Sequence, residues 1–145
     1  MSRLKFYFLL LFSFSLLWSG PSGLGIILGE PTGLSVKIWQ NDNIAYDAAA
    51  AWSLGEDGAL HLHADFLQHN YNLLNQDFPV YYGLGGRVRL EDDPKLGVRI
   101  PLGISHKFSE TPMDIFFEIV PVLDLVPETS FAMNGAIGIR YYFFK

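Results

Sequence analysis

The chain has 145 residues, fifteen acidic against ten basic, a net charge of −5, half its residues hydrophobic and no cysteine. An acidic balance without a basic patch argues against nucleic acid as a partner. The missing cysteine excludes disulfides and a lipoprotein acyl anchor.

Met1-Ser-Arg3-Leu-Lys5 is a short basic start, Phe6 to Trp18 is almost wholly apolar, and Ser19 to Gly23 are small residues and one proline. This resembles a secretory signal peptide, expected over residues 1–22 with cleavage within 19–23. The apolar run is shorter than the ~20 residues of a spanning helix, which disfavours a membrane anchor. Without Arg3 and Lys5, residues 23–145 hold eight bases against fifteen acids, a net −7 in one domain.

Turn residues then recur at fairly even spacing: 29–33, 40–43, 55–58, a longer 70–78, 91–95, 109–112 and 126–129. Gly, Pro, Asn and Asp permit or pre-set turn dihedrals. Seven turns predict eight strands, with one helical turn conceivable in 70–77. Apolar and polar residues alternate between the turns. In 59–69, Leu60, Leu62, Ala64 and Phe66 oppose His61, His63 and Asp65. In 96–108, Val98, Ile100, Leu102 and Ile104 oppose Arg99, Ser105 and Lys107; in 113–125, Ile115, Phe117 and Ile119 oppose Asp114 and Glu118. The expected fold is all-β: an eight-stranded antiparallel up-and-down barrel over 23–145.

Alternation alone does not say which face is inside. Gly83, Gly85, Gly97 and Gly103 share a parity with Arg87, Arg89, Arg99 and Lys107. Missing side chains beside long charged ones suit a narrow, filled interior. The expected interior network is Lys37, Asp47, Asp65, Arg87, Arg89, Arg99, Lys107, Asp114, Glu118 and Arg140, with Asp124 on the same parity. Its role is to plug the lumen by mutual pairing. Counting across the short turns puts Lys107 opposite Asp114 and Asp114 opposite Arg140, as a carboxylate between two cations. It also puts Pro101 near Pro121, where the ladder should break.

The C-terminal segment alternates Gly135, Ile137, Ile139, Tyr141 and Phe143 with Ala136, Gly138, Arg140 and Tyr142. This pattern resembles the closing strand of bacterial outer-membrane barrels. The whole resembles small eight-stranded barrels of the OmpA and OmpX type. Leu96 to Ser105, Asp114 to Glu128 and Gly138 to Phe143 resemble a family of short barrels found in spirochaetes and other bacteria. The resemblance implies a transmembrane barrel in the bacterial outer membrane with an envelope or structural role. It implies contact with outer-membrane lipids and with the insertion machinery through the last strand, which is expected to pair with the first. A monomer is expected. The alternatives are a soluble periplasmic barrel carrying an apolar ligand, and an adhesin, which the short turns oppose.

The candidate sites are few. His61 and His63, two apart on one face beside Asp65, could share a metal, but the spacing places no third ligand. No metal or cofactor is expected. Ser105 and His106 are adjacent and so point to opposite faces of a strand. No nucleophile–base–orienter set is evident, so no enzymatic activity is expected. Gly83-Leu-Gly-Gly86 is too short for a nucleotide loop. His106 suits a membrane interface. Aromatic residues crowd the end near turns 40–43, 70–78 and 109–112, expected to face the periplasm. The opposite turns carry Glu30, Glu56, Asp57, Glu91, Asp92, Asp93 and Glu128, an expected acidic outer rim that could share divalent cations with lipopolysaccharide phosphates, or that is acidic simply because turns favour Asp and Glu for solvation.

Overall fold

A computed structural model of the chain describes residues 21–29, 32–52 and 59–144. Residues 1–20 of the expected signal peptide, and Glu30, Glu56 and Asp57 of the acidic rim, lie outside the described residues. Nine strands follow one another: β1 (Ser22–Gly29), β2 (Gly33–Trp39), β3 (Ile44–Trp52), β4 (Leu60–Asn75), β5 (Phe78–Leu90), β6 (Lys95–Arg99), β7 (Leu102–Lys107), β8 (Met113–Val126) and β9 (Ser130–Phe144). Strand β1 begins one residue before the expected barrel boundary. All pairings are antiparallel; strands consecutive in the chain pair except β6 and β7, and β9 pairs with β1 from Ser22↔Phe144 to Gly29↔Ala136. The ring is closed, so the last strand has no free edge to recruit another chain.

The ninth strand is a correction with a local cause. The expected strand 96–108 divides at Ile100-Pro101 into β6 and β7, which both lie between β5 and β8. The register across the break is unchanged. An antiparallel hydrogen-bonded pair normally exchanges two N–H···O bonds. Here Gly83 N–H donates to the Pro101 carbonyl at 3.0 Å, and Ile100 N–H donates to the Pro121 carbonyl at 3.0 Å. Neither proline has an N–H to return. The strand therefore loses one bond on each side at consecutive residues. Pro121→Val, which keeps an apolar group on the outer face, should restore the bond to Ile100 and raise stability by about 1 kcal/mol. Denaturant titration of the refolded chain would show the gain, and no gain would assign the break to Pro101 alone.

Most of the segment 70–77 is strand rather than helix or loop, with the turn confined to Gln76 and Asp77. β4 runs through to Asn75, and its pairing with β5 slips between Asn70↔Val80 and Asn75↔Phe78. Pro79 lies in that slip and cannot donate to β4. Local acceptors shape the bulge and turn: Asn72 N–H donates to Asn70 Oδ1, and Asp77 and Phe78 N–H donate to Asn75 Oδ1. Tyr71 O–H donates to the Asp42 carbonyl at 2.7 Å, tying this hairpin to the neighbouring turn.

Exposure has period two. Along β4, Leu60, Leu62, Ala64 and Phe66 are exposed, whereas His63, Asp65, Leu67 and His69 are buried. The outer face is dominated by Leu, Ile and Phe on every long strand; the inner face holds charges, aromatics and small residues. Each strand thus puts its apolar parity outside, the reverse of a barrel that folds around an oily core.

Candidate functional site

The interior is the only place where polar side chains are concentrated out of solvent among the described residues. Lys37, Asp47, Asp65, Arg99, Asp114, Glu118 and Arg140 are buried, as is Asp124. Arg87 and Arg89 are half-buried on the same face. Lys107 departs from expectation: it is exposed at the rim. Its Nζ lies 5.2 Å from the Trp39 ring centre and 5.6 Å from that of Tyr142.

Glycines make the ion pairs possible. Asp65 on β4 is in register with Gly85 on β5, which is in register with Arg99 on β6. With no Cβ at Gly85, Asp65 leans over it, and Arg99 Nε stands 3.0 Å from Asp65 Oδ1. The N–H is not aimed at that oxygen, so the contact is an ion pair rather than a hydrogen bond. The arrangement recurs one strand on with the charges exchanged: Arg87, Gly97 and Asp124 share a row. Arg87 donates from Nε and Nη2 to the two carboxylate oxygens at 3.0 and 2.5 Å, the two-pronged geometry guanidinium favours.

Asp114 does face Lys107 and Arg140 in register, as counting predicts. The side chains nevertheless choose other partners. Arg140 reaches across the ring to Ser35 Oγ at 3.1 and 2.9 Å and to Asp47 Oδ2 at 3.4 Å, with its guanidinium 4.0 Å from the Phe116 ring centre. Asp114 instead accepts from Tyr142 O–H, which in turn accepts from Trp39 Nε1 at 3.3 Å. The carboxylate between two cations is not formed. A short aspartate reaches its nearest donor, whereas a long arginine is free to span the lumen.

Nearer the termini, Lys37 Nζ lies 2.9 Å from His69 Nε2, 4.4 Å from the Trp39 ring centre and 5.3 Å from that of Tyr81. This aromatic surround of a buried ammonium includes His69 and Tyr81. His69 was not singled out from the sequence, although it shares the parity of Asp65. Ser35 was missed likewise, and Phe116 was placed only among the aromatics of one rim; their signal was the inward parity of their own strands.

The expected histidine pair separates. His61 is half-buried beside Arg89, while His63 faces Asp47 and Asp65 deeper inside. Ser105 points inward and His106 outward, as adjacency predicts. His106 stacks on Phe78 at 4.8 Å and meets Phe108 edge-on at 5.2 Å. At the opposite end Glu91 is taken up by Arg89 at 3.2 Å and Lys95 at 3.9 Å. Asp92, Asp93 and Glu128 are exposed. Of the expected acidic rim, these three are the described carboxylates without such neighbours.

No family model matches the chain, and no curated protein does either. Among solved structures, the crystal structure of the N-terminal β-barrel domain of Pseudomonas aeruginosa OprF is similar. The TM-score is 0.65 at 11% identity, covering 86% of this chain and 98% of that one. The likeness establishes the fold: an antiparallel β-barrel of the OprF type.

Proposed function

We propose that the chain is an integral outer-membrane barrel whose interior is closed by its own side chains and whose role is structural in the cell envelope. The observation that carries this reading is the inverted exposure. Large apolar side chains such as Leu84, Phe117, Ile137 and Phe143 stand 47–59% exposed, while Lys37, Arg99 and Arg140 are 1–3% exposed. In water an apolar girdle on every side of a barrel is an association hazard; against hydrocarbon it is the stable arrangement. A closed ring also leaves no unpaired strand edge for lipid to face. Both supports, and the shared fold with the OprF barrel domain, point to one solvent outside and a packed polar plug inside.

The rims fit the same reading. Tyr46, Phe78, Tyr82, Phe108, Tyr141 and Phe143 face outward near the end that holds the chain termini. Tyr and other aromatics with one wet and one oily side gather at membrane interfaces. That end would face the periplasm, and the acidic turns the exterior. The partners are outer-membrane lipids and, during biogenesis, the insertion machinery acting on β9. The residues ahead of β1 would serve as the export signal. We assign the interior no enzymatic step.

Fractionation tests the reading. Detergent should be required to release the chain from envelopes, and unheated samples should migrate differently from boiled ones on gels. Release by osmotic shock with no heat-dependent mobility would overturn it.

A further inference from the structure

Asp47 and Asp65 are directly paired across β3 and β4, and His63 lies two residues before Asp65 on the same inner face. Two carboxylates opposite each other on adjacent strands repel unless a cation or a shared proton lies between them. One ligand atom from each of the three residues falls within 4.8 Å of the others. His63 Nδ1 and Asp65 Oδ2 are 3.4 Å apart. That is about the edge of a tetrahedron with metal–ligand bonds of ~2.0–2.1 Å.

The second observation is what these atoms lack. Asp47 Oδ1, His63 Nδ1 and both carboxylate oxygens of Asp65 have no hydrogen-bond partner, although the three residues are 3–9% exposed. Buried polar atoms without partners are uncommon in a settled interior, and four of them belong to these three clustered residues. The arginines at their backs, Arg140 and Arg99, each engage a single carboxylate oxygen. The wider interior is also short of positive charge. Once Arg87 has taken Asp124, the remaining buried charges among the described residues are four carboxylates and three cations.

We infer that Asp47, His63 and Asp65 form a buried site for one divalent transition ion. One imidazole nitrogen and two carboxylate oxygens suit zinc-like ions over calcium or magnesium, which prefer oxygen alone. The ion would hold β3 to β4 at mid-barrel and complete the charge balance of the plug. Because the ligands are enclosed, the ion enters as the barrel closes, so metal binding is coupled to folding. The inference does not depend on what surrounds the barrel.

The test is to refold the full chain in detergent with zinc, remove free metal, and measure retained zinc together with its X-ray absorption spectrum. The expected result is one zinc per chain, with scattering from one imidazole and oxygens at about 2.0–2.1 Å. His63→Ala should lower affinity about tenfold or more, and His61→Ala should leave it unchanged. No retained zinc would overturn the site, and zinc held equally by His63→Ala would overturn it and leave surface carboxylates as the binders. If His63→Ala fails to refold, the wild-type spectrum decides: imidazole scattering supports the site, and an oxygen-only shell overturns it.

Discussion

Replacing Arg140 with methionine lowers the stability of the refolded barrel by about 3–5 kcal/mol, the cost of leaving a buried ion without its partner. Arg140 is 3% exposed and joins β9 to Ser35 on β2 and Asp47 on β3. Methionine keeps most of the apolar stem over Phe116 but removes both donors to Ser35. It also leaves Asp47 opposite Asp65 with one cation fewer. Removing the carboxylate as well, in Arg140→Met with Asp47→Leu, should recover at least half of the loss, since an apolar pair of similar volume costs little. Denaturant titration of these two variants and of Asp47→Leu alone gives the coupling directly. A single-variant loss below about 1 kcal/mol would mean that the interior charges do not act as a connected plug.

Arginine at Leu84 or Ile119 should cost about 2–4 kcal/mol when the chain folds into lipid vesicles. Leu84 stands mid-way along β5 and Ile119 mid-way along β8; they are 59% and 45% exposed. On a water-facing surface the same changes would fall within about 0.5 kcal/mol. The comparison therefore separates a lipid-facing outer wall from a solvated one without reference to any ligand. Arginine near the strand ends, at Leu60 or Phe143, should cost less, because the penalty falls toward the interfaces.

Most of the fold was legible because a strand has a side-chain period of two. Once Leu60, Leu62 and Phe66 are placed on one face, His63 and Asp65 follow on the other. Short turns carry the register too: Ser109 to Pro112 puts Lys107 across from Asp114, and 127–129 puts Asp114 across from Arg140, as found. Closure of β9 on β1 was legible from an apolar last strand that needs a neighbour. The break at Ile100-Pro101 was legible from the register that brings Pro101 near Pro121. Pro101 in the strand itself and Pro121 on β8 each remove one donor, one on each side. The 70–77 stretch misled because its asparagines are turn formers; here they cap backbone N–H groups within a bulged strand.

The site was legible only as a set of inward positions. Register says which residues are level, and side-chain reach decides which of them touch. Arg140 passes over its level neighbour Asp114 to meet Asp47, and Tyr142, placed by sequence only in an aromatic rim, takes Asp114. The glycines at 85 and 97 were readable as space, but which ion pairs would lie over them depends on the curvature of the closed ring. Asp47 completes a cluster with His63 and Asp65 only because β3 and β4 are neighbours in a fixed register. Spacing within β4 could not show that.

The central claim is that the apolar parity faces hydrocarbon, and the absence of cysteine makes it directly measurable. Single cysteines at Leu84 and Ile119 carry spin labels on the refolded chain in vesicles. Their collision rates with oxygen, which concentrates in lipid, and with a water-soluble nickel chelate are then compared. The account predicts labels at both positions open to oxygen and closed to the chelate. Labels open to the chelate and poorly reached by oxygen would contradict it and place the outer wall in water.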